Sequence, residues 1–282
     1  MNVDEWQFRH YYIRWTNDSY DPVENITEPM RETLEAVAAG ELSVAAAEAR
    51  LSGYATTPSG RFDAAREQRR GIPEAILAEG KTPREVVDLA EAAVETTGRT
   101  LVTRADEATC EAIEAAFVDE SATVSVDDRA GTVTVIGDSF DSPSLSAEVC
   151  IITGGTSDYP VAGEAAAVIE AVGAECQIIQ DIGVANIDRL FDQLDRIRAA
   201  DVVIAVAGRE GALPTVVAGQ VDCPVIGVPV STGYGHGGDG EAALLGLLQS
   251  CTVLSVVNID AGFVAGAQAA LIVQQADRST SS

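Results

Sequence analysis

The chain has 282 residues, 46% of them hydrophobic, and a formal net charge of -26. That length supports two domains with a sizeable core, and the hydrophobic share excludes global disorder. The acids are spread along the chain rather than gathered in a tail, and so large an excess of them excludes nonspecific nucleic-acid binding.

Lys81 is the single lysine, and the other cations are arginines. An acidic surface nearly stripped of lysine suggests adaptation to a salty cytoplasm, where screening offsets self-repulsion. Cys110, Cys150, Cys176, Cys223 and Cys251 are odd in number and contain no CxxC pair, so neither a disulfide framework nor a structural zinc site is expected. A reduced cytosol fits this usage. The N-terminal MNVDEWQFRHYYIRW lacks an apolar signal core, and no apolar run approaches the ~20 residues that span a bilayer. A cytoplasmic protein with no membrane partner is expected.

Residues 1–26 show no period and read as an extension. Pro29–Ala39 and Ser43–Leu51 place apolar residues three and four apart, which predicts two short helices. Arg61, Arg66, Arg69 and Arg70 follow, a basic cluster that reads as a solvated face, an anion site or a subunit contact. Glu74–Ala78 reads as a strand. Thr82, Pro83 and Glu85 form a capping box for a helix running to about Thr97. Leu101–Thr103 is a strand, Ala105–Phe117 a helix, and Ala122–Val126 with Thr132–Ile136 a hairpin. Asp138–Ser146, rich in Ser, Asp and Pro, reads as a linker. The expected α+β domain therefore covers residues 27–137.

From Glu148 onward, apolar strands near 148–153, 175–181, 201–206, 223–228 and 253–258 alternate with helices near 160–172, 187–198, 211–219, 240–249 and 261–275. This pattern predicts an α/β domain over 147–278, a parallel sheet between two helical layers. Ligands of such sheets lie beyond the carboxyl ends of the strands. There stand Gly154, Gly155, Thr156, Ser157 and Asp158, then Gly183, Gly208–Glu210, Ser231–Gly235 and Asn258–Asp260. Gly154-Gly155 before a helix offers free amides to an anion, with Ser157 or Asp158 as the cap, although a bare Gly-Gly is also an ordinary turn.

Three strand-end segments, GGTSDYP, AGREGALP and VVNIDAGF, together with GYATTPSGRFDAAREQRRGIPEAILAEGKT and LVTRA earlier in the chain, resemble the LarB family. Those proteins are nickel-pincer-cofactor biosynthesis enzymes related to the AIR carboxylase (PurE) fold. The resemblance implies a PurE-like (flavodoxin-like) three-layer sheet with a smaller N-terminal α+β domain. AIR carboxylases carry an acid–base histidine just before Leu-Pro in this third strand-end segment, whereas here Ala212 precedes Leu213-Pro214 and Glu210 supplies an acid. A purine carboxylase or mutase is the second reading, and a non-catalytic nucleotide-binding protein the third.

The LarB resemblance implies that nicotinic acid adenine dinucleotide is carboxylated by CO2 or bicarbonate at the pyridinium ring and cleaved at its phosphoanhydride, giving pyridinium-3,5-biscarboxylate mononucleotide and AMP. Cys251 matches the family's cysteine and is expected near the strand ends as the nucleophile; by itself, a cysteine between helix and strand is a small buried hydrophobe. Glu210 is the expected base, its pKa raised by partial burial. Gly154, Gly155, Thr156, Ser157, Asp158, Gly208, Ser231, Gly233, Tyr234, Asn258 and Asp260 are expected around the substrate, with Arg104 and Lys81 from the first domain. Val206 stands where the family often has a second cysteine, and Ala261 where Asp-Asn-Gly is usual. No bound organic cofactor is expected. Magnesium is plausible for anhydride cleavage, with Asp158, Asp181 or Asp260 as ligands. A homo-oligomer, including a PurE-like octamer, is expected.

Overall fold

The computed structural model describes residues 28–118 and 122–280, so the expected extension and His10 lie outside the described residues. The described chain forms two units, residues 28–43 and Val44–Ser282 up to residue 280. The first holds helix α1 (Glu28–Ala38).

The second unit begins with α2 (Val44–Ser52) and a hairpin of β1 (Ala55–Thr57) and β2 (Gly60–Phe62) that the sequence reading does not foresee. Strands of three residues are too short to show alternation. The arginine cluster forms α3 (Arg66–Arg70), and β3 (Ala75–Leu77) follows. Helix α4 (Pro83–Thr97) starts as expected. Thr82 Oγ1 accepts from the Glu85 amide, and Glu85 Oε2 accepts from the Thr82 amide at 2.7 Å. β4 (Arg99–Thr103), α5 (Glu107–Phe117), β5 (Ala122–Asp127) and β6 (Thr132–Gly137) complete a four-stranded sheet in the order β3-β4-β6-β5.

Residues 138–146 are a pinned strap rather than a free linker. The Phe140 ring lies 4.7 Å from the Arg99 guanidinium, and the Leu145 amide donates to Gly173 O at 2.7 Å.

The second sheet contains β7 (Glu148–Thr153), β8 (Glu175–Ile179), β9 (Val202–Ala207), β10 (Val225–Pro229) and β11 (Ser255–Val256), all parallel, in the order β11-β10-β9-β7-β8. Its helices are α6 (Tyr159–Ala171), α7 (Ile187–Phe191), α8 (Leu194–Arg198), α9 (Ala212–Ala218), α10 (Glu241–Leu248) and α11 (Gly262–Thr280). The single helix expected over 187–198 is broken at Gln193, whose amide bonds only three residues back, to Leu190 O. Along β7, Val149 and Ile151 face α6 and α11, whereas Cys150 and Ile152 face Leu190, Ile197 and Leu213. That alternation is why a continuous apolar run serves a sheet covered on both sides.

A separate buried cluster of Ile72, Leu101, Val168, Val172 and Ala270 joins the first sheet to α6 and α11. The β5–β6 turn adds to this junction. Ala130 is buried there, and a Cβ on Gly163 would come within 2.5 Å of it.

Candidate active site

β7 has β8 on one side and β9 on the other, so the chain reverses its direction of winding beyond the carboxyl end of β7. A cleft of about 560 Å³ opens there, walled by the turns after β7, β8, β9 and β10. This is the switch-point position that parallel sheets use for ligands. Arg104, Asp181, Arg209, Asp239 and Asp260 have positive φ, and among the described residues they are the only non-glycines that do. All five follow strands or lie in the loop after β10. Four of the five stand beyond the carboxyl edge of the second sheet, and Arg209 lines the cleft itself.

Asp158 organises the cleft floor. It is 5% exposed, its Oδ2 accepts from the Gly155 amide at 2.9 Å, and its Oδ1 accepts from Thr232 Oγ1 at 2.9 Å. It therefore turns back into the Gly-Gly loop and does not cap α6. The Gly154 amide donates to Val206 O at 2.9 Å. Both glycine amides expected to receive an anion are committed to the protein, which corrects that expectation. A Cβ at Gly154 or Gly155 would meet nothing nearer than 3.4 Å, whereas Gly183 and Gly208 are crowded by neighbouring loops. A Cβ on Gly183 would meet Gly154 O at 2.5 Å, and one on Gly208 would meet Thr232 O at 2.4 Å. No side chain fits at either position.

Gly154, Gly155, Ser157 and Asp158 line the cleft as expected, and so do Gly208, Glu210, Gly233 and Tyr234. Thr156, Ser231, Asn258 and Asp260 do not. The Thr156 carbonyl faces Arg129 Nη2 at 3.4 Å, and Asp260 Oδ1 accepts from the Ser231 amide at 2.9 Å, holding the β10 loop from behind. Asn258 Oδ1 accepts from the Ile259 amide. Glu210 is exposed at the cleft wall rather than partly buried. Ala212 lines the same wall, immediately before Leu213.

Two arginines that were not expected around the substrate also line the cleft. Arg209 stacks its guanidinium 4.3 Å from the Tyr234 ring, which is 81% exposed. Arg189 pairs with Asp181 at 2.8 Å and donates to Gly183 O at 3.1 Å. They stand where the first-domain cations were expected. Those cations are spent elsewhere: Arg66 on Glu74 at 2.7 Å, Arg69 on Asp63 at 2.6 Å, and Lys81 Nζ on Leu77 O at 2.7 Å. Arg104 bonds Glu79 at 3.0 Å and the Asp260 carbonyl at 2.8 Å, and its Nε lies 3.4 Å from the buried Glu164. It clamps the first domain to the loop that holds Ser231, but it does not line the cleft.

Cys251 is exposed and lies outside the cleft wall. It precedes β11, whose first residue Ser255 pairs with Ile226 near the start of β10, so it sits where the strands begin rather than where they end. Next to it, Thr252 donates to Thr215 O in the middle of α9 at 3.3 Å. The expected placement of Cys251 at the strand ends is therefore not what one chain shows.

Of the suggested magnesium ligands, Asp158 is hydrogen-bonded within its turn, Asp181 is paired with Arg189, and Asp260 holds Ser231. Among the described residues no group of three His, Cys, Asp or Glu side chains comes together. These residues do not fit a metal. Among the described residues, no helix is long and apolar enough to cross a membrane.

A five-stranded parallel sheet with its cleft at the switch point, joined to a smaller N-terminal α+β domain, defines a flavodoxin-like α/β protein. Residues 148–282 match AIR carboxylase, and residues 54–136 match the LarB/PurE-like N-terminal domain. An uncharacterized protein of Methanocaldococcus jannaschii is 38% identical over 218 residues, which cover 76% of this chain and 84% of the relative. The N5-carboxyaminoimidazole ribonucleotide mutase of the same organism is 36% identical over 119 residues, 40% of this chain and 71% of its own. The crystal structure of Treponema denticola PurE covers 46% of this chain and 82% of its own at 25% identity, with a TM-score of 0.40. The chain belongs to the AIR carboxylase family and carries a LarB/PurE-like N-terminal domain.

Proposed function

We propose that the protein carboxylates the pyridinium ring of nicotinic acid adenine dinucleotide and cleaves its phosphoanhydride, releasing AMP. The observation that carries this reading is Ala212. It lines the cleft where AIR carboxylases hold their acid–base histidine, and Glu210 stands two residues before it. A methyl group cannot shuttle the protons of purine carboxylation, whereas a carboxylate can remove a ring proton. Arg209 supplies a cationic donor for a diphosphate in a chain whose net charge is -26, with Arg189, paired to Asp181, beside it. Tyr234 offers a flat, exposed ring for a planar heterocycle.

A pyridinium is too electron-poor to attack CO2. A thiolate adding to C4 dearomatises the ring and makes C5 nucleophilic, and C5 then bonds the carbon of CO2. Glu210 takes the C5 proton, and the returning electron pair restores the ring as the C4–S bond breaks. Water separately splits the anhydride into AMP and the mononucleotide. Because Cys251 lies outside the cleft of its own chain, the thiolate step takes Cys251 of a second copy. The exposed side chains of Leu245, Leu248 and Val253 around it give that copy a surface to cover.

The test is incubation of the purified protein with the dinucleotide and bicarbonate, followed by mass spectrometry. AMP together with a carboxylated mononucleotide supports the reading. Turnover of an aminoimidazole ribonucleotide with no change in the dinucleotide overturns it in favour of the purine reaction.

A further inference from the structure

Arg129, in the turn between β5 and β6, reaches from the first domain to the carboxyl edge of the second sheet. Its Nη2 donates to Thr156 O at 3.4 Å and to Gln180 Oε1 at 3.3 Å, and its guanidinium lies 4.0 Å from the centre of the Tyr159 ring. Thr156 stands between Gly155 and Ser157, which both line the cleft, and Gln180 precedes Asp181, the partner of the cleft residue Arg189. Arg129 does not line the cleft itself but stands at its rim, where the turns after β7 and β8 meet.

The charge of Arg129 is left uncompensated. Both of its acceptors are neutral, and among the described residues no carboxylate pairs with the guanidinium. Asp127, two residues away, is already occupied. Its Oδ1 accepts from the Arg129 and Ala130 amides at 3.0 Å, and its Oδ2 accepts from the Tyr159 hydroxyl at 2.6 Å. Those bonds fix the turn against the start of α6, and the Tyr159 ring then orients the guanidinium plane. Stacking uses the face of the group and leaves its N–H edge for an acceptor. In a chain with 44 Asp and Glu, an exposed arginine held in place without a carboxylate is poised for an anion from outside. Arg209 on Tyr234 repeats the arrangement in the cleft wall.

We propose that Arg129 binds a phosphate of the nucleotide substrate from the β8 side of the cleft, so that the first domain completes the site. The Gly154 and Gly155 amides cannot serve there, because Val206 O and Asp158 hold them. β8 and β9 flank β7, which puts the Arg129 rim and the turn carrying Glu210 about 10 Å apart, two strand spacings. A ribose spans such a gap. With the heterocycle beside Glu210, its phosphates extend toward β8, and the Arg129 fork can take two oxygens of one phosphate. Prior orientation by Tyr159 lowers the ordering cost of that contact. The inference rests on the nucleotide substrate proposed above and not on the carboxylation assigned to it.

The test is calorimetry of the full chain with AMP and with pyrophosphate. Arg129→Gln should weaken both at least tenfold, and thermal unfolding should give it the wild-type Tm. Arg129→Lys, which keeps the charge without the fork, should recover part of the loss. Arg198→Gln removes the same charge near the opposite edge of the sheet, where Arg198 donates to Gln220 O, and should leave binding unchanged. Wild-type affinity in Arg129→Gln, or an equal loss in Arg198→Gln, overturns the proposal and leaves the nucleotide reading standing. A wild-type protein that binds neither probe overturns both.

Discussion

Thr232 Oγ1 donates to Asp158 Oδ1 across 2.9 Å, tying together two loops separated by 74 residues of sequence. The same carboxylate holds the Gly155 amide, so one buried side chain sets the distance between two walls of the cleft. Asp158→Ala should orphan the Gly155 amide, at about 1–3 kcal/mol of stability, and release the exposed Thr232 hydroxyl to water. Thr232→Val should cost less, because it leaves the Gly155 bond in place. Urea unfolding of the three proteins gives the comparison, and equal costs for the two variants would count against this role for Asp158.

Arg189 and Arg209 are the cleft's cations, and hydrogen bonds to charged groups contribute about 1.5–3 kcal/mol. Arg209→Gln should therefore weaken pyrophosphate or AMP binding by tenfold or more in calorimetry. Lys81→Ala should leave that binding unchanged, because the Lys81 ammonium is occupied by the Leu77 carbonyl. A larger loss in the lysine variant would restore the first-domain anion site.

The Tyr159 hydroxyl donates to Asp127 at 2.6 Å, and that bond, with burial, raises the phenol pKa from 10.0 to about 12. The folded state therefore holds the proton more tightly than the unfolded chain. The stability this contributes is complete below about pH 10 and is lost as pH rises toward about 12. Denaturant midpoints measured across that window should fall for the native protein and fall less steeply for Tyr159→Phe. Parallel slopes would show that the Asp127 bond does not perturb the phenol.

Cys251 and Glu210 do not meet in one chain. Cys251→Ser and Glu210→Gln should each abolish carboxylation, and mixing the two variants under subunit exchange should restore part of it. A mixture as inactive as its parts would mean that both groups act from a single chain.

Arg104 bridges Glu79, Glu164 and the Asp260 carbonyl, and Asp260 in turn holds the Ser231 amide. Arg104→Lys keeps the charge but cannot span three acceptors with a planar fork. Hydrogen exchange at Ser231 and Thr232 should quicken in that variant while the core strands keep their protection. Unchanged exchange at both amides would show that the clamp ends at Asp260.

Features set within one helical turn or one hairpin are legible in the sequence. Thr82, Pro83 and Glu85 form the box their spacing predicts, and Ala122–Val126 pairs with Thr132–Ile136. Contacts between distant segments are not legible. The Asp158 carboxylate reads as a helix cap because its partner Thr232 is far along the chain, and Arg104 reads as a substrate contact because Asp260 O lies 156 residues away. Arg189 carries no local motif, and it is held at the cleft by Gly183 O and Asp181 in the turn after β8. Cys251 illustrates the converse: a residue matched by type stands ahead of its strand, as the expected strand at 253–258 already implied, and so at the edge away from the cleft.

The strap over residues 138–146 has a consequence for handling the protein. Asp138, Ser139 and Asp141 are exposed and open to a protease, yet Phe140 is stacked on Arg99 and Leu145 is bonded to Gly173. Beneath them, Ile72 and Leu101 are buried against Val168, Val172 and Ala270. Cutting the peptide there severs connectivity without opening this packing. The nicked halves should travel as one particle through gel filtration and separate only in denaturant.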